Sequence, residues 1–195
     1  QFWTAWLDGG LGIWRPNRRR FEPFLPDTAF HHRRIEGHCH DRNNPDILWL
    51  GFRDGIWRMD KKTREQQFFK PPKVPPGGLC SGELCDDGHG GLWFDSGGNY
   101  GLGFLDKTSG QYRFFRYDPA RSDSSILNNE VLDLSVASDG SVWVALVGGI
   151  SHLTRNDALA GGFQVQNFTR DHGLRTDQVF SVEADVAGDV WMASS

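Results

Sequence analysis

Short runs of alternating apolar and polar residues follow one another along the chain, separated by glycines and aspartates. The stretch Gly140-Ser-Val-Trp-Val-Ala-Leu-Val-Gly-Gly-Ile-Ser-His-Leu153 is a representative unit. An alternating run surrounds Trp143, two glycines interrupt it, and a second short run begins at once. Alternation with a period of two is typical of half-buried strands, and glycine suits a tight turn. The stretch therefore predicts two antiparallel strands joined by a hairpin turn.

The same unit returns four more times when the sequence is aligned on its tryptophan. The copies are centred on Trp3, Trp49, Trp93, Trp143 and Trp191. Successive tryptophans lie 46, 44, 50 and 48 residues apart. Self-similarity at a period of this length indicates a propeller, a solenoid or an array. The repeat therefore decides the fold class before any single motif is considered.

Each complete unit divides into four strands, which we call A to D. Strand A precedes the tryptophan, as in residues 130–136 and 178–184, and strand B contains it. Strand C follows the glycine turn, and strand D is aromatic, as in residues 112–117. Prolines cluster after strand D, and proline cannot donate to a β-ladder. We therefore expect strand A nearest the axis and strand D at the outer edge.

The sequence predicts an all-β fold, a β-propeller of four-stranded antiparallel blades that occupies residues 1–195 as one region. It holds about four full repeats and a partial one, and we expect them to be part of a larger, seven-bladed propeller. A closed four-bladed ring is the alternative. Neighbouring blades cover the faces of each sheet, and the tryptophan of strand B fills the gap between them. Trp143→Ala should then cost about 3 to 5 kcal/mol.

Composition and charge narrow the classes of function. The net charge of −4 gives no general attraction to nucleic acid, although Arg18-Arg19-Arg20 and His31-His32-Arg33-Arg34 are basic runs. No apolar run approaches the length that crosses a bilayer, so we expect no membrane insertion in this region. The chain begins and ends inside strands of the repeat, and we therefore expect it to be a fragment of a longer chain.

The string Asp-Gly-Ser-Val-Trp-Val-Ala-x-x-Gly-Gly-Ile of residues 139–150, with Ser-x-x-Leu-Asn-Asn-x-Val of residues 124–131, resembles the two-component regulator propeller repeat. The likeness covers nearly the whole chain. It departs from the family pattern at the usual threonine, where this chain has Trp6, Phe52, Ser96 and Leu146.

The resemblance implies the periplasmic or extracellular sensor region of a bacterial membrane-bound regulator. Such a parent chain carries a histidine kinase or diguanylate cyclase module, and many members sense glycan breakdown products. It further implies an oligosaccharide ligand, no cofactor and a homodimer formed through the parent chain.

In a propeller of this topology, the B-to-C turns and the D-to-A connections share one rim. Loops on a rigid scaffold often carry function, and aromatic, carboxylate, amide and arginine side chains together suit a sugar. The candidate ligand-binding residues are Trp6, Asp8, Arg53, Asp54, Asp95, Asn99 and Tyr100. The competing interpretation is that these are ordinary turn residues.

Metal-binding and catalytic patterns in the sequence identify no site. His38 and His40 share a face of a predicted strand, but the sequence places no third metal ligand. Cys80 and Cys85, both predicted on strand A, should point to opposite faces and not pair. We find no paired carboxylates, nucleophile motif or phosphate loop. The leading hypothesis is therefore a non-catalytic sensor, with a carbohydrate-active lyase or hydrolase, or a propeller for protein contacts only, as alternatives.

Overall fold

The computed structural model describes residues 3–5, 10–24, 33–122, 124–159 and 161–195. Over these residues the chain forms five antiparallel sheets, which we number in chain order. Three single-turn 3-10 helices interrupt the connections, at Pro16–Arg18, Pro119–Arg121 and Arg170–His172. None of the helices in the described ranges is long and apolar enough to cross a membrane.

The strands of the sheets follow one another without crossover. The first sheet contains β1 Trp3–Ala5, β2 Leu11–Arg15 and β3 Arg20–Pro23. The second contains β4 Gly37–His40, β5 Ile47–Phe52, β6 Gly55–Asp60 and β7 Gln66–Phe69. The third contains β8 Leu84–Asp86, β9 Gly91–Ser96, β10 Gly101–Asp106 and β11 Tyr112–Phe115. The fourth contains β12 Val131–Val136, β13 Val142–Leu146, β14 Gly149–Arg155 and β15 Phe163–Phe168. The fifth contains β16 Val179–Ala184 and β17 Val190–Ser194.

The predicted division into strands A to D is confirmed in the second, third and fourth sheets, where the four strands pair in chain order. Predicted and observed bounds agree closely, except that β11 ends at Phe115 rather than at residue 117. The prediction was wrong for Cys80, which lies in the loop before β8, because strand A of the third sheet is only three residues long.

Contacts between the sheets place the A strands innermost. Strand β8 lies against β4 and β12, and β12 lies against β16. The D strands β7, β11 and β15 each form one edge of their sheet. These relations are those of β-propeller blades arranged side by side around an axis. The number of blades in the complete ring stays a prediction.

The tryptophan of strand B fills the space between one blade and the next, as predicted. Trp49 is buried among residues of the third sheet, including Leu84, Leu92 and Phe94. Trp93 is fully buried and packs against the fourth sheet, with its ring 4.9 Å from that of Phe163. The apolar core is therefore a series of layers between sheets rather than one centre.

The two later tryptophans are less buried. Trp143 stacks on His152 of its own sheet, with 3.8 Å between ring centroids, and packs against Val179 and Val182 of the fifth sheet. Trp191 is 64% exposed. Since Trp143 is only partly buried, the expected cost of truncating it is below the range that a fully buried ring gives.

Ion pairs join the blades at the rim formed by the A-to-B and C-to-D turns. The ammonium of Lys107 lies 2.9 Å from the Asp86 carboxylate in its own sheet and 3.0 Å from Asp41 in the preceding sheet. The indole N–H of Trp49 also donates to Asp41 at 3.1 Å. Burial raises the pKa of Asp41, but the hydrogen bonds from Trp49 and Lys107 outweigh it and hold the pKa below its ordinary value.

A second cation repeats this arrangement one blade later. Arg155 of the fourth sheet lies 3.1 Å from Asp87 of the third. Arg42 reaches further, because its guanidinium donates to the carbonyls of Val136 and Ala137 in the fourth sheet. This rim is therefore cross-linked by charged groups, of which the carboxylates of Asp86 and Asp87 are buried.

We expect Trp93→Ala to destabilise the chain by about 3 to 5 kcal/mol, because it empties the space between the third and fourth sheets. Trp191→Ala is the matched control and should cost under about 1 kcal/mol, since that ring is largely exposed. Urea unfolding followed by circular dichroism measures both. Equal losses for the two variants would contradict the role given to Trp93.

Lys107→Met should cost about 3 to 5 kcal/mol at pH 7, because it leaves two buried carboxylates without their cation. Lys62→Met, which removes an exposed pair with Asp46, should cost under about 1 kcal/mol.

Because the pKa of Asp41 is lowered on folding, its contribution to stability is present above about pH 4 and is lost as the pH falls further. Unfolding curves between pH 3 and pH 7 should therefore converge for wild type and Lys107→Met. A gap that stays constant would refute the pairing.

Candidate functional site

The candidate site lies on the opposite rim, formed by the B-to-C turns and the D-to-A connections. Arg53 and Asp54 form the turn between β5 and β6, and Asn99 and Tyr100 belong to the turn between β9 and β10. Asp95 lies near the end of β9. The predicted residues Trp6 and Asp8 lie outside the described residues. The five others are on the predicted rim of two adjacent blades.

Backbone contacts hold two loops of this rim together. A Cβ atom added at Gly97 would lie 2.6 Å from the carbonyl oxygen of Gly77, and one at Gly77 would lie 2.6 Å from the amide of Gly98. The connection from the second blade therefore packs directly on the β9–β10 turn, at distances that no side chain fits. Gly97 and Gly98 are required for this packing. Asn99 and Tyr100 are the residues of the turn whose side chains could contact a ligand.

Arg53 and Asp54 are engaged by neighbouring loops. The Arg53 guanidinium donates to the carbonyl of Gly77 and covers Gly78. Asp54 pairs with Arg33 at 3.2 Å, and both side chains are about half exposed. An exposed pair of this kind contributes little to stability. It does leave a carboxylate and a guanidinium side by side at the surface.

Tyr100 is an aromatic platform on this rim. Its ring lies 5.3 Å from that of Phe114 in an edge-on arrangement, and the Arg116 guanidinium lies 4.6 Å from its centroid. The adjacent Asn99 is exposed and has a φ of 56°. Asparagine adopts this left-handed conformation more readily than most residues. The backbone therefore presents an exposed amide next to a supported aromatic ring.

Asp95 is a carboxylate without a cationic partner among the described residues. The Ser81 hydroxyl donates to it at 2.7 Å. Burial raises the pKa of Asp95, and the hydrogen bond from Ser81 only partly opposes that shift. Glu83 lies close by, and burial followed by the charges of Asp133 and Asp95 raises its pKa. An uncompensated acidic group of this kind is more common at functional sites than elsewhere.

Further acidic groups extend along the inner strands. Asp133 on β12 accepts a hydrogen bond from the Ser181 hydroxyl and another, of 2.9 Å, from the amide of Val182. Glu183 on β16 accepts from Ser135 at 3.2 Å. The described inner strands thus carry carboxylates that accept hydrogen bonds from hydroxyl groups. Such groups can equally accept hydrogen bonds from the hydroxyls of a bound sugar.

Sequence reasoning missed Arg33, Ser81, Glu83 and Arg116 as members of this rim. Arg33 was noticed only as part of a basic run. Ser81 and Glu83 lie in the long connection before β8, where no periodic pattern indicates which side chains turn inward. Arg116 directly follows the aromatic strand D, and a residue at that end of strand D is expected to lie on this rim.

The histidine hypothesis gains no support from the described residues. His38 and His40 lie on β4, as predicted, and both are exposed. The ring of His40 lies 3.3 Å from the ammonium of Lys61, a neighbour that disfavours a bound cation. No group of three metal-ligating side chains occurs in the ranges that the structure describes. His31 and His32 lie outside them.

No family model matches the sequence, and no curated protein matches it. Several solved structures share its fold. The extracellular domain of a hybrid two-component system from B. thetaiotaomicron has a TM-score of 0.61 and 15% identity, over 82% of this chain and 22% of that one. Virginiamycin B lyase from Staphylococcus aureus has a TM-score of 0.60 and 15% identity, over 98% and 62%. An ancestral GH74 enzyme has a TM-score of 0.64 and 9% identity, over 98% and 27%.

These likenesses confirm the all-β propeller fold. Identities of 9 to 15% support the fold alone, and the three proteins include an extracellular domain of a two-component system and two enzymes. The chain spans less than two thirds of the length of each. Function therefore has to be argued from the rim itself.

Asp95→Asn should raise the free energy of unfolding at pH 7 by about 1 kcal/mol or less, because it removes a charge that burial disfavours while Ser81 keeps an acceptor. The pKa of Asp95 is raised on folding, so the wild type loses stability as the pH rises past about 4. The gain should accordingly vanish below that pH. Asp54→Asn, at an exposed pair, serves as the control, and urea unfolding at pH 3 and pH 7 provides the measurement. Destabilisation by Asp95→Asn at pH 7 would show that the carboxylate supports the fold.

Proposed function

We propose that this region is a non-catalytic, ligand-sensing propeller of a membrane-bound bacterial signalling protein, and that the rim around Asp95 and Tyr100 binds a glycan-derived ligand on the periplasmic or extracellular side. The observation that carries the proposal is the uncompensated Asp95 carboxylate, held by Ser81 on the same rim as Tyr100. Burying the unpaired Asp95 carboxylate costs stability, and binding a ligand through that carboxylate would explain why the group is there.

The chemistry of the rim suits a sugar. Asp95, Glu83 and the Asn99 amide accept hydrogen bonds from hydroxyl groups, and Asn99 also donates. The face of the Tyr100 ring opposite Arg116 can pack on the apolar face of a pyranose, and the edge-on contact with Phe114 holds the ring in place. The backbone contact between Gly77 and Gly97 fixes the two loops before a ligand arrives, which reduces the entropy lost on binding.

The sensor role is supported by the resemblance of the repeat to regulator propellers and by the fold shared with a two-component extracellular domain. In such a chain, binding would alter a homodimer or a neighbouring domain and so pass a signal inward. The parent chain would supply the histidine kinase or diguanylate cyclase module.

A carbohydrate-active lyase or hydrolase is the second candidate. It rests on Glu83, whose pKa is raised by burial and by the charges of Asp133 and Asp95. Carboxyl groups with separated pKa values are the basis of acid and base catalysis on sugars. The Ser81 hydroxyl donates to Asp95, but no histidine is hydrogen-bonded to this pair among the described residues, and we therefore favour binding without turnover.

Calorimetric titration of the chain with defined oligosaccharides, followed by chromatography of the mixture, tests the proposal. We expect saturable binding, unchanged sugar, and an affinity at least about tenfold weaker for Asp95→Asn and for Tyr100→Ala. Asp157→Asn, on the opposite rim, and Phe21→Ala, an exposed ring on β3, should bind as wild type does. New products would establish the enzyme instead. Failure to bind any sugar would leave the interpretation of a propeller used only for protein contacts.

A further inference from the structure

A groove runs between the outer strands of the third and fourth sheets, and it meets the rim of the proposed glycan site at Phe114 and Arg116. Its volume is about 420 Å³. Apolar side chains from β11, β15 and the connection between the sheets form its floor, among them Phe115, Ile126, Phe163 and Val165. Three arginines line its walls: Arg113, Arg116 and Arg121. We call this feature the outer groove.

The register of the sheets explains why the groove is open here. Tyr112 opposes Leu105 in the third sheet, and Val165 opposes Leu153 at the equivalent position of the fourth. Tyr112 fills the interface with the second sheet, where its hydroxyl donates to the Phe69 carbonyl at 2.7 Å. Val165 lacks both the ring and the hydroxyl. The interface between the third and fourth sheets therefore lacks the side chain that closes the preceding one.

The charge of the groove is also particular to this interface. Arg113 opposes Phe104, and the equivalent positions of the neighbouring D strands hold the neutral Gln67 and Gln166. One nitrogen of Arg113 donates to the carbonyl of Gly161 at 3.1 Å.

The two other guanidiniums differ in their partners. Arg121 is paired with Asp118. Arg116 lies over Tyr100 and has no carboxylate within 4.0 Å among the residues that the structure describes. The groove thus combines an apolar floor with guanidinium charge that exceeds the nearby carboxylate charge.

We propose that the outer groove binds a small amphiphilic carboxylate, with its aromatic or branched aliphatic body on the floor and its carboxylate on the guanidinium of Arg113, which shares a strand face with Phe115. The volume lies within the range of small-molecule sites. Guanidinium groups bind carboxylates with paired, charge-assisted hydrogen bonds. The walls offer many donors and few acceptors, a balance that suits a carboxylate and not a neutral sugar. The groove shares Phe114 and Arg116 with the rim of the proposed glycan site, whereas Arg113 donates to Gly161 in the turn before β15.

The test is calorimetric titration of the chain with phenylacetate, 4-phenylbutyrate and indole-3-acetate, each beside its neutral amide. We expect saturable binding of at least one acid and binding at least about tenfold weaker for its amide. Arg113→Gln should weaken binding of the acid by about tenfold, whereas Arg175→Gln, an exposed arginine outside the groove, should not.

Val165→Tyr tests the groove more directly, because it introduces the side chain that Tyr112 places in the preceding interface and should fill the groove. It should abolish binding while thermal unfolding stays at or above the wild-type midpoint, since the new hydroxyl can donate to the Phe115 carbonyl. Binding of none of the three acids by the wild type would overturn the proposal. So would equal affinity for acid and amide, or an undiminished affinity in a folded Val165→Tyr chain.

Discussion

Every described blade depends on the covering of its apolar face by the next one. A four-stranded antiparallel sheet has two faces to bury and cannot do so alone. Here one tryptophan ring on strand B fills much of the space between neighbouring sheets, and Trp49 and Trp93 are almost completely buried there. The period of the sequence follows from this constraint, because each copy must present the same ring at the same place. Positions that differ between copies are then free to carry other chemistry.

The two rims use their charges differently. On the rim of the A-to-B turns, Lys107 and Arg155 each neutralise a carboxylate of the preceding blade, which ties the blades together. On the opposite rim, Asp95 and Glu83 have raised pKa values and no cation within ion-pair distance among the described residues. Lys107 and Arg155 support the architecture, and the unpaired Asp95 and Glu83 are the physical basis for the site that we propose on the opposite rim.

Much of the fold could be predicted from the sequence, because strand alternation, glycine turns and a repeated tryptophan are local signals. The same signals placed Arg53, Asp54, Asn99 and Tyr100 on one rim. They failed for Cys80, because the length of strand A in the third sheet depends on contacts with its neighbours. Ser81 could not be found, since its bond to Asp95 joins a loop to strand β9 and no periodicity aligns the two segments. The outer groove was likewise invisible, because it depends on comparing Tyr112 with Val165 across two interfaces.

Hydrogen exchange with mass spectrometry, in the presence and absence of a bound oligosaccharide, tests most directly whether the unpaired rim is the binding surface. If this rim binds the sugar, amide exchange should slow on binding in residues 76–83 and 95–101, where the two glycine-held loops meet. Exchange should not change in the A-to-B turn of residues 87–91, whose charges are already paired. Protection confined to residues 87–91, or spread evenly over the blades, would show that this rim is not the binding surface.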